Sequence, residues 1–164
     1  MISWEYMAGM IDADGSIGTT TTGAKRNVVG RVIIANTNQE FLYTLKAQFG
    51  GTISIRKQGA KEGWKPFGSI SWTNRQAEHI LVNILPFLLI KKKQAELCLE
   101  LIQMKNATKN ERYDYVPKSV EGLNGRVVAQ LKPEVRAKET EIREMITDLN
   151  KRGVPVDRKS TRLN

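Results

Sequence analysis

Two hydrophobic periods alternate along the first two thirds of this chain. Residues Ser3–Ala13 carry a helical pattern: Met7, Met10 and Ile11 fall on one stripe by i, i+3, i+4 spacing, and Gly9, Asp12 and Ala13 fall on another. Ser3 suits the cap of that helix, and Gly15 follows as a stop signal. The period then drops to two. Ser16–Thr22 and Val28–Ala35 read as strands joined by the basic turn "GAKRN". Asn38–Phe49 returns to helical spacing through Phe41, Leu42, Leu45 and Phe49, and stops at Gly50 and Gly51. Thr52–Gln58 and Phe67–Thr73 form a second strand pair across the loop "GAKEGWKP". Asn74–Leu85 and Lys91–Met104 read as helices. The order helix, strand, strand, helix, strand, strand, helix, helix is that of an α+β fold, an antiparallel sheet with helices on one face.

Alternation splits the sheet into two faces. It sends Ile17, Val28, Val32, Ile34, Ile53, Ile55, Ile70 and Trp72 to the core. It turns Thr20, Thr22, Asn27, Arg31, Ile33, Thr52, Ser54, Arg56, Gln58, Ser69, Ser71 and Thr73 to the opposite side. Beyond Met104 the clearest element is an amphipathic helix over Pro133–Lys151, with Val135, Ile142, Met145, Ile146 and Leu149 on one side. Residues 105–164 are therefore expected to be a helical extension of the same domain as 1–104, fraying at "VDRKSTRLN".

Charge sharpens the picture. The 164 residues carry a formal net charge of +9, which points to a polyanionic partner. Between Ser16 and Thr73 there are eight Lys or Arg against two acids, so the basic surface coincides with the expected sheet. Side chains such as these on a strand face can read base edges in a major groove, and Lys25, Arg26, Lys57, Lys61 and Lys65 in its loops can hold phosphates. One cysteine, Cys98, excludes an intrachain disulfide and a thiolate zinc cluster. The most apolar run, Ile80–Ile90, is broken by Pro86 and stops at three lysines, which does not read as a membrane span. No secretory segment is evident, and the expected location is intracellular, in the cytoplasm or an organelle matrix. His79 and Cys98 read as structural.

Asp12 and Asp14 stand at the C-terminal end of the first helix, where the macrodipole disfavours carboxylates. Two such helices side by side would gather oxygen ligands for hard divalent cations. The small residues Gly9 and Ala13 would let two helix backbones approach closely. The stretch Met7–Gly15, "MAGMIDADG", resembles the signature of the LAGLIDADG homing endonucleases at seven of nine positions, with Met for Leu twice. "LPFLLIKKKQA" (Leu85–Ala95) resembles the run that follows the third core helix in many members, and the αββαββα order is similar to the family core over residues 1–104.

That resemblance implies a site-specific homing DNA endonuclease. It implies Mg²⁺, or another divalent cation such as Mn²⁺, and a double-strand cut leaving 3′ overhangs. One motif copy implies a homodimer, with Gly9, Asp12 and Ala13 at the interface and a long, near-palindromic DNA site. Asp14 matches the metal-binding acidic residue, with the Ala13 backbone carbonyl as a further ligand, and Asp12 supports packing or hydrogen bonds there. Lys91 matches the lysine near the scissile phosphate, where it orients water or neutralises charge. Asn36 stands where many members carry Gln, as an organiser of water, and Lys93 as a phosphate contact. The alternatives in the same fold are an RNA-splicing maturase, for which the C-terminal part with fourteen basic and nine acidic residues would be an intron-RNA surface, and a DNA-binding protein that does not cut.

Overall fold

The computed structural model describes residues 1–22, 27–56, 67–108, 111, 113–117 and 127–151, with 115–117 and 127–129 as backbone alone. Helix α1 (Trp4–Ala13) begins where the Ser3 hydroxyl accepts a hydrogen bond from the Tyr6 amide. Strands β1 (Ser16–Thr22) and β2 (Asn27–Asn36) follow, then helix α2 (Gln39–Phe49), capped by the Asn38 side chain. Strands β3 (Thr52–Arg56) and β4 (Phe67–Thr73) lead to helix α3 (Arg75–Ile84), a 3-10 turn at Leu85–Phe87 and helix α4 (Lys92–Ala107). The chain then forms strands β5 (Tyr113–Pro117) and β6 (Val127–Leu131) and helix α5 (Pro133–Leu149).

The first four strands form one antiparallel sheet in the order β1-β2-β4-β3. Its inner face carries Ile17, Val32, Ile34, Ile70 and Trp72, all fully or almost fully buried, with Val28 close behind. Ile53 and Ile55 lie on the same face but are only half-buried, because β3 is an edge strand. Met7, Ala8 and Ile11 of α1, Leu42 and Leu45 of α2, and the apolar sides of α3 and α4 close the core from that side. Helix α4 lies tightly on β2: a Cβ on Gly30 would stand 2.7 Å from Ile102 Cδ1 and 2.8 Å from Cys98 Sγ.

The C-terminal part differs from a purely helical extension, since β5 and β6 pair antiparallel ahead of α5. Helix α5 joins the core through specific polar bonds. The Asn150 side chain donates to the Ile17 carbonyl at 2.8 Å, and the buried Gln94 side chain donates to the Leu149 carbonyl at 3.5 Å. The exposed side of α5 carries Arg136 and Arg143 among Glu134, Glu141 and Glu144, a mixed rather than a basic surface. Among the described residues no helix is long and apolar enough to cross a membrane.

Candidate DNA-binding and metal site

The site begins at the end of α1. Asp14 is its C-cap, with the Asp14 and Gly15 amides both bonding the Met10 carbonyl, at 3.0 and 3.2 Å. Gly15 is buried there because a Cβ would stand 2.7 Å from the Ile11 Cα. Asp14 itself is exposed, as are Gly9 and Ala13 on the outward side of the helix. A Cβ on Gly9 would meet nothing within 4 Å, so the small-residue stripe is an open surface in the single chain.

Asp12 and Lys91 are 79 residues apart and meet here. The Asp12 carboxylate accepts three backbone N–H groups: Leu89 at 2.7 Å, Ile90 at 3.2 Å and Lys91 at 2.8 Å. The Lys91 ammonium donates to the carbonyls of Ile11 (2.7 Å), Asp12 (2.8 Å) and Gly15 (2.9 Å). Burial alone would raise the Asp12 carboxyl, but those three amides and the Lys91 charge outweigh it and leave its pKa below the ordinary value. Burial pulls the Lys91 ammonium below its ordinary pKa, against the opposing pull of Asp12 and Asp14.

These contacts modify two expectations. The Asp12 carboxylate is turned to residues 89–91 of its own chain, not to the small-residue stripe it shares with Gly9 and Ala13. Lys91 lies at the Asp14 end of α1, but its three protons are engaged by backbone carbonyls, whereas orienting a water would need one of them. The Ala13 carbonyl takes no part in this set of bonds.

An open groove of about 600 Å³ runs along the outer side of α1, lined by Tyr6, Gly9, Met10, Asp14, Asn36, Asn38 and Phe41. It brings Asp14 and Asn36 together. The Asn36 Oδ1 accepts the Asn38 amide at 2.8 Å, and the Asn38 Oδ1 accepts the Phe41 amide at 3.1 Å, so the end of β2 and the start of α2 are held as linked turns. The amide NH₂ of Asn36 remains as a donor. Tyr6, Asn38 and Phe41 were not among the expected site residues. The one sequence signal for Tyr6 was its place three residues before Gly9, on the same exposed side.

On the sheet's outer face the register sets the expected reading residues in rows. Ser16, Ile33, Ser71 and Thr52 lie side by side across four strands. Arg31 pairs with Thr73, and Ser69 stands between Ala35 and Ser54. Thr22, Thr52, Ser54 and Arg56 are exposed, while Thr20, Asn27, Arg31, Ile33, Ser69, Ser71 and Thr73 are partly so. The Arg56 guanidinium sits over the Phe67 ring at 5.6 Å, a cation–π contact that fixes it on this face. At the far end of β1 and β2, the Tyr113 hydroxyl donates to the Asn27 side chain at 3.4 Å. Lys93 stands apart from the sheet, exposed on the first turn of α4 and paired with Glu96 at 3.5 Å. Lys25, Arg26, Lys57, Gln58, Lys61 and Lys65 lie outside the described residues.

No family model matches the chain, and no curated protein matches it closely. Solved structures do resemble it. The homing endonuclease I-CvuI, in complex with its target in the presence of calcium, superposes with a TM-score of 0.65 at 19% identity, over 92% of this chain and 83% of that one. The archaeal intron-encoded homing endonuclease I-Vdi141I, complexed with DNA, gives 0.63 at 17% identity, over 92% of this chain and 86% of that one. The LAGLIDADG homing endonuclease I-GzeII, in complex with a DNA target, gives 0.56 at 18% identity, over 89% of this chain but 44% of that one. At these identities the likeness is one of fold.

Proposed function

We propose that this chain, which has the fold of the LAGLIDADG homing endonucleases, is a metal-dependent, site-specific DNA endonuclease that works as a homodimer. The observation that carries this reading is the groove in which the exposed Asp14 meets Asn36, beside an uncovered small-residue helix stripe and a polar sheet face.

The donor chemistry fits a hard divalent cation. An exposed carboxylate and the Ala13 carbonyl are oxygen ligands of the kind Mg²⁺ and Mn²⁺ take. Among the described residues no group of three or more His, Cys, Asp or Glu gathers, so Asp14 and the Ala13 carbonyl stand without a ready-made cluster of such side chains around them. DNA phosphates and a second α1 would complete the site. The bound ion supplies charge neutralisation at the phosphate and a more acidic water. Asp14 and Ala13 hold that ion, Asn36 offers a donor to order water, and Lys91 fixes the helix end that carries the ligands.

An exposed apolar surface supports a homodimer with α1 at its centre. Tyr6 beside Gly9 in the groove is 58% exposed, and Leu89 and Ile90 against the Asp12 end of α1 are 89% and 73% exposed, an apolar surface on both sides of the helix end. A two-fold partner would cover it. Two copies of the sheet would then read a long, near-palindromic duplex. Its outer-face polar side chains supply base contacts, and the basic residues supply phosphate contacts.

The test is a cleavage selection with purified protein, Mg²⁺ and a pool of long duplexes, with Asp14→Asn in parallel. The expected result is a near-palindromic site cut by the wild type, leaving 3′ overhangs, and bound but uncut by the variant. A site that is bound and never cut would leave only a DNA-binding protein. Selection of intron RNA in place of duplex DNA would favour the maturase.

A further inference from the structure

The six bonds between the end of α1 and the entry to α4 form a closed exchange. A helix C-terminus exposes unpaired carbonyls and carries partial negative charge, which Asp12 and Asp14 would aggravate. The Lys91 ammonium supplies the missing donors and the missing positive charge at one point, within 2.9 Å of three carbonyls. The start of α4 has the converse deficit. Its N-cap is Lys91, which makes no side-chain cap bond, and Lys92 and Lys93 follow. The Asp12 carboxylate supplies acceptors and negative charge to the three amides that lead into it. The end of α1 thus receives donors and positive charge, and the turn leading into α4, through its N-cap Lys91, receives acceptors and negative charge.

We propose that Asp12 and Lys91 are a pair of positioning residues, a reciprocal lock that fixes the last turn of α1 and thereby sets where Asp14 and the Ala13 carbonyl can hold a divalent cation. The metal-holding half of this rests on the nuclease reading; the lock itself does not. Asp14 sits between two of the carbonyls that Lys91 grips, those of Asp12 and Gly15, so it cannot shift without stretching those bonds. The Ala13 carbonyl, left out of the lock, stays available on the same turn. The lock also ties the exposed Leu89 and Ile90 to the end of α1, so the apolar surface and the carboxylate move as one piece.

The test compares Asp12→Asn, Lys91→Met and Lys91→Arg in the full chain, by residue-resolved amide exchange and by manganese line-broadening of the Asp14 amide signal. In the first two variants the amides of residues 89–91 and those of Asp14 and Gly15 are expected to exchange at least tenfold faster together, whichever end is mutated. The manganese concentration that half-broadens the Asp14 signal is expected to rise at least fivefold. Lys91→Arg keeps the charge but cannot place three N–H groups at one point, so it falls between; it carries the test if Asp12→Asn does not fold. Loosening confined to the mutated side overturns the lock, and an unchanged manganese midpoint overturns its role at the metal. If the wild type itself shows no manganese effect at Asp14, the nuclease reading fails with the metal role, while the exchange measurement still decides the lock.

Discussion

Lys105 of α4 and Glu139 of α5 form an ion pair at 3.6 Å with 11% and 3% of their side chains exposed. The same ammonium donates to the Val28 carbonyl of β2. One buried charge therefore joins the sheet, α4 and α5. Removing one member of such a pair takes a close opposite charge away from a buried group and costs about 3 kcal/mol or more. Glu139→Gln is expected to lower stability by that amount in urea denaturation. Lys105→Met with Glu139→Leu should cost clearly less than either single change.

Gly15→Ala should destabilise the chain by about 1–3 kcal/mol, because the new Cβ would press on the Ile11 backbone, 2.7 Å away, where no side chain can swing aside. Thermal unfolding checks the loss. The same push bears on the turn that carries Asp14, so Mg²⁺-dependent cleavage should fall further than the stability change explains.

Gly9 gives the opposite sign in the single chain. With open space around it, Gly9→Ala should stabilise the monomer by about 1 kcal/mol through helix propensity alone. A larger residue, as in Gly9→Leu, should leave the monomer folded but weaken self-association at least tenfold in sedimentation equilibrium. Unchanged association would remove α1 from the dimer axis.

Burial lifts the Cys98 thiol from about 9.0 to about 11, and its S–H points to the Gly18 carbonyl at 3.6 Å. The native state thus keeps this proton where the unfolded chain gives it up. Its contribution is complete below pH 9 and fades as the pH rises through 11, by about 2–3 kcal/mol in all. A stability profile from pH 8 to 11 should flatten in Cys98→Val. In the folded wild type at pH 7 the thiol should not react with aromatic disulfides within hours.

Arg31 is the partly exposed guanidinium in the middle of the outer sheet face, paired in register with Thr73. Arg31→Ala should relax the selected site at one base pair per half-site, a change of about 1–3 kcal/mol. Loss spread evenly over all positions would instead mark a phosphate contact, with a shallower salt dependence as its sign.

Most of the core was legible because it is built from local rules. Ser3 caps the helix that its position announces, and Ile17, Val32, Ile34, Ile70 and Trp72 alternate as strands with one buried face must. The sequence singled out Asp14 by its place at a helix end and by resemblance, and Lys91 by resemblance, but it gave no sign of the bonds between the two helix ends. They join residues 79 positions apart through backbone groups, and no side-chain pattern records which amides a carboxylate will meet. Strands β5 and β6 escaped notice for a simpler reason: "YDYVP" ends in a proline and "VVAQL" lacks the clean alternation of apolar and polar residues that marked β3 and β4.

The polar side chains along the β3 side of the sheet's outer face stand apart from the packed interior. Ser71, Thr52, Ser54 and Arg56 could be exchanged for other polar residues while Ile70, Ile53 and Ile55 behind them kept their neighbours. Such a molecule can drift in its preferences without renegotiating its fold. A lineage carrying it could follow a changing target by surface substitutions alone, each nearly neutral for folding.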